Sequence, residues 1–386
     1  MAKVLLGDVV NHIKDKVDKD TTDLEFYVGG EHIDGDEIMV RRKGRIEGST
    51  IGPAFHMRFQ RGDVLLMSRN PHLRKASMVD FDGICSDVSY VCRTKDEGIL
   101  LQSLLPFILQ TSEFWQFAEE NKKGGLPFFL NWKDFARFEF ELIPIEQQRQ
   151  ISDLLWAVER VKNAYRELIA RTDDLVKSQF IEMFGLPDEN VHGYEVARIG
   201  DVVCDVHYGT SRKASGDGEY TYLRMNNITY GGELDLTDIK RISIPEKELA
   251  GCMVKKGDVL FNRTNSRDLV GKTCAFNLEE PMVIAGYIIR LRMNGRILPE
   301  YLSAFLNLDS SKKMLFEMAK GAVGQANINA QEVQSIQLIV PPMEAQLPFQ
   351  RLVEQSDKSK FVGVNRNLSR CSEIRSATIK IGHWCH

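Results

Sequence analysis

No stretch of this 386-residue chain approaches the roughly 20 consecutive apolar residues that a membrane-spanning helix needs. The N-terminus, MAKVLLGDVVNHIK, has neither the long apolar core nor the small-residue cleavage site of a secretion signal, so a cytoplasmic location is expected. Cysteine is sparse and unpatterned. The seven (Cys85, Cys92, Cys204, Cys252, Cys274, Cys371 and Cys385) are odd in number and contain no C-x-x-C pair, which argues for reduced thiols used as small apolar residues and against a disulfide framework. Bulk charge is also lacking. A net charge of −4 and a pI near 6.1 give no overall sign of a polyanionic partner, so any such partner must be met by an uneven distribution.

Proline and glycine are missing from Glu146 up to Gly185, and this absence defines the organising element of the chain. The segment should be one helix of about 40 residues, a rod of roughly 60 Å. Ile151, Leu154, Val158, Val161, Tyr165, Leu168, Thr172 and Leu175 recur at steps of three and four among charged residues, the pattern of a coiled-coil seam that needs a partner helix.

The charge is indeed uneven. Between Asp8 and Glu37 ten acidic residues face three lysines, and between Arg41 and Lys75 nine cations face only Glu47 and Asp63. The chain also repeats itself at an offset of 193 to 198 residues. Leu6-Gly7-Asp8-Val9-Val10 returns as Ile199-Gly200-Asp201-Val202-Val203, and Tyr27 with Ile33 returns as Tyr222 with Ile228. Arg61-Gly62-Asp63-Val64-Leu65-Leu66 returns as Lys256-Gly257-Asp258-Val259-Leu260-Phe261, a turn feeding a strand in both halves. Pro144-Ile145-Glu146-x-Gln148 returns as Pro342-Met343-Glu344-x-Gln346, each at a helix entry where proline and an acid suit the first turn. Each half reads as short strands, a helical segment (residues 100–120 and 300–320), a last strand and a long helix. The second long helix, from Glu344 to about Lys380, is a weaker copy whose stripe carries Phe361, Val364, Leu368, Cys371 and Thr378; it is the natural partner of the first.

Catalytic constellations are scarce. Ser266-Arg267-Asp268-Leu269-Val270-Gly271-Lys272-Thr273 ends like a phosphate-binding loop but lacks the first glycine and a following long helix. No NPPY-like tetrapeptide or glycine-rich cofactor turn points to methyl transfer, and the triplets Glu120-Asn121-Lys122 and Asp238-Ile239-Lys240 lack the preceding acid of a nuclease site. The pair Glu31-His32 has Asn226-Asn227 as its counterpart, which fits a polar loop position better than an acid–base or metal site. His383-Trp384-Cys385-His386 has no second ligand cluster, so no metal site is assigned.

Two divergent domains, each ending in a P-x-E-x-Q entry to a long helix, with GDVL runs, the stretch Gly324-Gln325-Ala326-Asn327-Ile328-Asn329 and the sequence LVKSQFIEMFG ending at Gly185, together resemble the specificity subunit of type I restriction-modification enzymes. The resemblance spans essentially the whole chain. In the first domain Gly124-Gly125-Leu126-Pro127-Phe128-Phe129-Leu130-Asn131-Trp132 stands where the second keeps the GQANIN stretch. The resemblance implies an α+β fold with two tandem target-recognition domains, residues 1–145 and 186–342. A central spacer helix, 146–185, is expected to pair with a C-terminal helix, 343–386, as an antiparallel coiled coil about a pseudo-twofold axis. It also implies a subunit without catalytic residues or cofactors of its own, which reads a split duplex DNA site, one half per domain. Two methyltransferase subunits would bring S-adenosylmethionine, and restriction-translocase subunits would bring ATP and Mg.

Base edges are read by Arg, Lys, Asn and Gln, and phosphates by any cation. The candidate contacts in the first domain are therefore Arg41, Arg42, Lys43, Arg45, Arg69, Asn70, Arg74, Lys75, Lys122 and Lys123. In the second they are Tyr208, Thr210, Ser211, Arg212, Lys213, Arg224, Asn226, Asn227, Arg263, Asn265, Arg267, Gln325 and Asn327. The alternative from another class is a scaffold whose coiled coil assembles a complex and whose domains bind protein or glycan. If the long helix is a ruler between two half-sites, inserting four residues into it should lengthen it by about 6 Å, close to two base pairs, and rotate one domain by about 40°. Selection of the recognised sequence before and after insertion checks this, and an unchanged spacing would reduce the helix to a docking surface.

Overall fold

A glycine turn followed by a buried aspartate sets the register of each half. Gly62 and Gly257 adopt φ of 90° and 92°, a region that a β-carbon disfavours, and they deliver Asp63 and Asp258 into the interior. Asp63 accepts the Gln60 N–H at 2.8 Å and is gripped by Arg93 through Nε at 2.7 Å and Nη2 at 2.9 Å. Asp258 accepts the Lys255 N–H at 2.9 Å and is gripped by Arg292 through Nε at 2.7 Å and Nη2 at 2.9 Å. A bidentate pair that also satisfies a backbone donor is the geometry in which a buried carboxylate is stable. The GDVL repeat is thus a repeated ion-pair clamp at the start of a strand.

The computed structural model describes residues 2–322 and 325–361. They divide between two compact units, Met1–Tyr165 and one beginning at Arg166. In the first, strands Val10–Ile13, Ser89–Thr94, Val64–Met67 and Ala76–Met78 form an antiparallel sheet in that order. A second sheet runs Gly44–Arg45, Phe26–Val28, Gly83–Ser86, Phe55–Phe59, with its middle pair parallel. The second unit repeats both. Val203–Tyr208, Ile288–Met293, Asp258–Asn262 and Thr273–Phe276 form its antiparallel sheet, and Lys240–Ile242, Tyr220–Leu223, Met282–Ile284 and Met253–Val254 its mixed one. In each unit a strand at the start pairs with one before the long helix: Ala2–Leu5 with Glu139–Leu142, and Glu195–Arg198 with Gln337–Val340. The internal repeat is a structural duplication, and the fold is α+β.

The segments 100–120 and 300–320 are each broken in two. Helices Leu105–Ile108 and Ser112–Asn121 meet at Thr111, whose side chain caps the second by accepting the Phe114 N–H. Pro299–Asn307 and Asp309–Met318 meet at Leu308, held extended at ψ 149°.

The central helix, Ile145–Phe184, is continuous. Its N-terminal half joins the first core through Leu155, with Ile151 and Trp156 against it, and its C-terminal half joins the second through Phe180 and Phe184. The expected single seam divides here. Ile151 and Val158 turn inward and Tyr165 is half-buried, whereas Leu154, Val161, Leu168 and Leu175 are 48, 47, 58 and 51% exposed. The physical reason is that residues 148, 152, 155, 159 and 162 form the face packed on the helix's own domain, one step round from the predicted seam. In the second unit the helix Met343–Phe361 packs antiparallel to the central one: Phe349 lies 5.4 and 5.5 Å from the rings of Phe180 and Phe184, and Lys360 bonds Asp173. Val364, Leu368, Cys371 and Thr378, the Phe361 side chain and the tail His383 to His386 lie outside the described residues.

The P-x-E-x-Q motif has a clear origin. Gln148 and Gln346 are both 0% exposed. The Gln148 Oε1 accepts the Leu101 N–H at 3.0 Å while its Nε2 donates to the carbonyls of Ile99 and Ile143. The Gln346 Oε1 accepts the Leu298 N–H at 2.8 Å while its Nε2 donates to Arg296 and Pro341. Leucine at either position would strand three buried backbone groups. Gln148→Leu and Gln346→Leu should each lower stability by about 2 to 4 kcal/mol, read as a fall in denaturant midpoint.

Candidate nucleic-acid interface

Each unit carries a hairpin that pairs with the loop following its buried central strand. In the second unit Lys320–Ala322 and Gln325–Asn327 form the hairpin, and Thr264–Asn265 pairs with its second strand. Thr264 Oγ1 donates to Asn327 Oδ1 at 2.9 Å, and Arg263 is tied at its carbonyl to the Ile328 N–H. The Arg263 guanidinium lies 4.7 Å over the ring of Tyr208, whose hydroxyl accepts the Ala330 N–H. Tyr208, Arg263, Asn265 and Asn327 are therefore one cluster; the Gln325 backbone belongs to it, and its side chain lies outside the described atoms. Asn265 is partly committed, donating to Asn262 at 3.0 Å.

The first unit builds the same device from different residues. Lys123 and Phe129 exchange two backbone hydrogen bonds, Arg69 bridges to Phe129, and the Asn70 N–H donates to Phe128 at 2.7 Å. Arg69, Asn70, Lys122 and Lys123 are brought together at the place equivalent to the second unit's cluster. The stretch from Gly124 to Trp132 thus matches GQANIN in topology though not in chemistry. Asn70 and Arg74 adopt left-handed φ of 53° and 50°, so this loop is held in a shape that costs energy.

The acidic and basic runs of the first unit largely pair with each other. Arg42 meets Asp34, Arg45 meets Glu25 at 3.0 Å, Arg74 meets Asp36 at 3.5 Å, and Arg41 meets Glu37 and the Asn163 side chain. Lys43 sits 3.5 Å over the ring of Phe26, and Lys75 donates to the Gly30 carbonyl. Lys122 pairs with Glu119, and Lys123 with Asp134, whose carboxyl its hydrogen bond holds below the usual range. Arg69 has no ion pair among the described residues.

In the second unit Arg212 forms a bidentate pair with Glu248, which holds that carboxyl low, and Thr210 caps the Arg212 N–H. Ser211 and Lys213 are exposed beside them. Arg224 bonds Asp238 at 2.7 Å, and Asn226 reaches the same carboxylate. Asn227 is a correction to the candidate set. It is 1% exposed, its Oδ1 accepts the Arg224 N–H and its Nδ2 donates to Asp235 and Asp238 carbonyls, so its amide is consumed by the fold. His32 does the same work in the first unit, its Nδ1 accepting the Gly29 N–H at 2.9 Å.

Sequence reasoning missed a groove of about 350 Å³ lined by Tyr230, Arg267, Asp268, Lys312, Lys313 and Phe316. Arg267 lies 4.4 Å over Phe316 and Lys312 lies 4.9 Å over Tyr230. Its residues are dispersed over 87 positions of sequence, and no local signal joins them. The run ending at Lys272-Thr273 is no phosphate loop: Lys272 donates to the Met225 carbonyl at 2.6 Å and Thr273 opens a strand. Among the described residues no cluster of His, Cys, Asp and Glu is arranged for a metal ion, and no helix is long and apolar enough to cross a membrane.

A family model described as "Type I restriction modification DNA specificity domain" matches residues 192–358, which lie in the second half of the chain. The chain is 28% identical over 159 residues to the type I restriction enzyme EcoKI specificity subunit of Escherichia coli (strain K12), covering 40% of this chain and 34% of the relative. It is 24% identical over 192 residues to the putative type I restriction enzyme MjaX specificity subunit of Methanocaldococcus jannaschii, covering 48% and 44%. The matched stretches thus span less than half of these relatives. Among solved structures, the type I restriction-modification S subunit from M. genitalium aligns with TM-score 0.55 at 14% identity, over 98% of this chain and 95% of that one. A chain from a study of complex assembly and conformational transition of the type I R-M system aligns with TM-score 0.51 at 20% identity, over 100% and 97%. These two likenesses concern the fold.

Lys312 offers a test of the missed groove. Burial, with help from Lys177 and Lys272, lowers its ammonium from the ordinary 10.5 to about 8. Between those values the unfolded chain holds a proton that the folded one has released, so this group makes stability rise with pH from about 8 to 10.5. The rise should be on the order of 1 to 3 kcal/mol and should vanish in Lys312→Met, as read from denaturant midpoints. The same rise in the variant would assign it elsewhere.

Proposed function

We propose that this chain is the sequence-reading subunit of a type I restriction-modification enzyme, working in the cytoplasm. It binds a split, asymmetric duplex site with one half per unit, and it carries no catalytic residue, metal or cofactor of its own. Two methyltransferase subunits bring S-adenosylmethionine to the adenines, and restriction-translocase subunits bring ATP and Mg. The observation that carries this reading is the duplication: the stretch matched to a DNA specificity domain has its sheet topology and its hairpin repeated in the first unit. Two readers in one chain call for two half-sites. Apolar side chains spaced seven apart and left in solvent on the central helix, Leu154, Val161, Leu168 and Leu175, support the docking of helices from other subunits.

Within each unit the unneutralised groups divide the labour. Arg69, Lys213, Arg263 and Arg267 have no ion pair among the described residues and are the first phosphate or base contacts. Arg41, Arg42, Arg45, Arg212 and Arg224 must first give up a carboxylate.

Selection from random duplexes by the chain co-purified with its co-encoded methyltransferase tests the reading. The expected outcome is a consensus in two blocks separated by unselected bases. Retention of DNA without any split consensus would favour the scaffold alternative, in which the two units bind protein or glycan.

A further inference from the structure

The first unit's hairpin ends in a tip that its own fold does not use. Leu126 is 84% exposed, the most exposed of the large apolar residues of the described chain, and Pro127 beside it is exposed as well. Neither contributes to a core cluster. Yet the tip is built to be rigid. Below it Lys123 and Phe129 are bonded in both directions at 2.8 and 3.0 Å, the Asn70 N–H holds the Phe128 carbonyl, and the Leu130 N–H holds Ser68. Phe128 lies half-buried under the Lys122 ammonium at 4.6 Å. Phe129 lies against Gly124, where a β-carbon would stand 2.9 Å from its ring and where φ is +86°. The glycine thus lets the ring close under the turn. A leucine and a proline are displayed on an aromatic-braced support, which a merely solvent-facing turn does not require.

What surrounds the tip identifies what it meets. The unpaired Arg69 is bridged to the strand that returns from it and the exposed Lys133 follows on the next turn of chain, while Lys122, Lys123 and Arg137 beside them are held by Glu119 and Asp134. In the second unit the equivalent hairpin carries the polar Gln325 and Asn327. Two unpaired cations beside an apolar point, with three more that a phosphate can draw from their carboxylates, are complementary to phosphates flanking stacked bases, and side chains such as Leu and Pro enter base steps and unstack them.

We infer that the Leu126-Pro127 tip is an apolar wedge that enters one base step of duplex DNA in the half-site met by the first unit, while the second unit's hairpin reads by polar contact. The inference rests on the proposed DNA-reading function. It assigns the two units different modes of contact: shape and deformability at one half-site, hydrogen bonds at the other.

The test uses the complete complex with its methyltransferase on duplexes of the selected sequence, with 2-aminopurine placed in turn at each adenine and permanganate reporting unstacked thymines. With the native chain, one step of the first unit's half-site should become unstacked in addition to the methylated adenine, which the partner itself extrudes. Leu126→Ala should abolish that second signal and weaken binding roughly ten-fold without changing the melting temperature, and Leu126→Met should restore both. Arg69→Ala should instead leave the step unstacked and reduce the salt slope by about one. An unchanged affinity and an unchanged unstacked step in Leu126→Ala overturn the inference. So does a variant that binds DNA normally but loses its methyltransferase, which would make the tip a protein contact. A native complex that selects a split site yet unstacks no second step overturns the wedge alone. Failure to select any split site would instead remove the parent reading.

Discussion

Two buried glutamine amides determine where the long helices leave their domains. Gln148 and Gln346 each hold one backbone donor and two backbone acceptors, from the loop before the domain's helices and from the residue that follows the last strand. Removing such an amide from water costs more than any one of its hydrogen bonds returns, so the position is stable only when all three partners are met. That requirement fixes the helix start against the domain in rotation as well as in translation. A long helix can transmit a distance only if its end does not swivel. The glutamine is therefore the element on which any measuring role of the central helix depends, and the proline and glutamate before it merely make the entry favourable.

Charge in the first unit follows a different logic. The acidic run folds back onto the basic one, and a pair such as Arg42 with Asp34 is half-exposed on both sides, so it contributes no more than about 1 kcal/mol. Pairs this weak do little for stability. They do suppress the bare positive field that would hold the protein on any DNA, because each neutralised cation no longer releases counterions unless a phosphate displaces its carboxylate. On the proposed reading, sequence-independent affinity is kept low in the unit with the greater cationic run, and contact is left to the few cations without partners.

Much of this architecture was legible in the sequence. The GDVL repeat, the P-x-E-x-Q entries and the uninterrupted helix each correspond to a local physical demand: a positive φ before a buried carboxylate, an amide with three partners, a run free of helix breakers. What was not legible is what depends on the third dimension. Heptad spacing announced a stripe on the central helix, but the helix has two apolar faces, and spacing alone does not tell that Leu155 goes to the core while Leu154 and Val161 stay in solvent. Asn227 looked like a base reader because its residue type is right, and only its burial shows that its amide is consumed. Arg41, Arg42 and Arg45 looked free because their carboxylate partners lie 4 to 20 residues away on another turn of chain.

The two hairpins show how a duplicated scaffold accommodates different contacts. Both are held by backbone hydrogen bonds, to Asn70 and Ser68 in one unit and to the strand Thr264–Asn265 in the other. On the first side the chain leaving the hairpin is held by Tyr90, whose hydroxyl donates to the Leu130 carbonyl; on the second it is held by Tyr208, whose hydroxyl accepts the N–H of Ala330, the first residue of the helix Ala330–Ser335. Because the first unit's attachments run through main chain and through a tyrosine outside the tip, Leu126 and Pro127 are released from structural duty. A leucine and a proline can stand there without disturbing the sheet beneath. The sequence pairs Leu130-Asn131 with Ile328-Asn329 and carries the correspondence no further into this loop for that reason: most interactions that place the hairpin run through main chain.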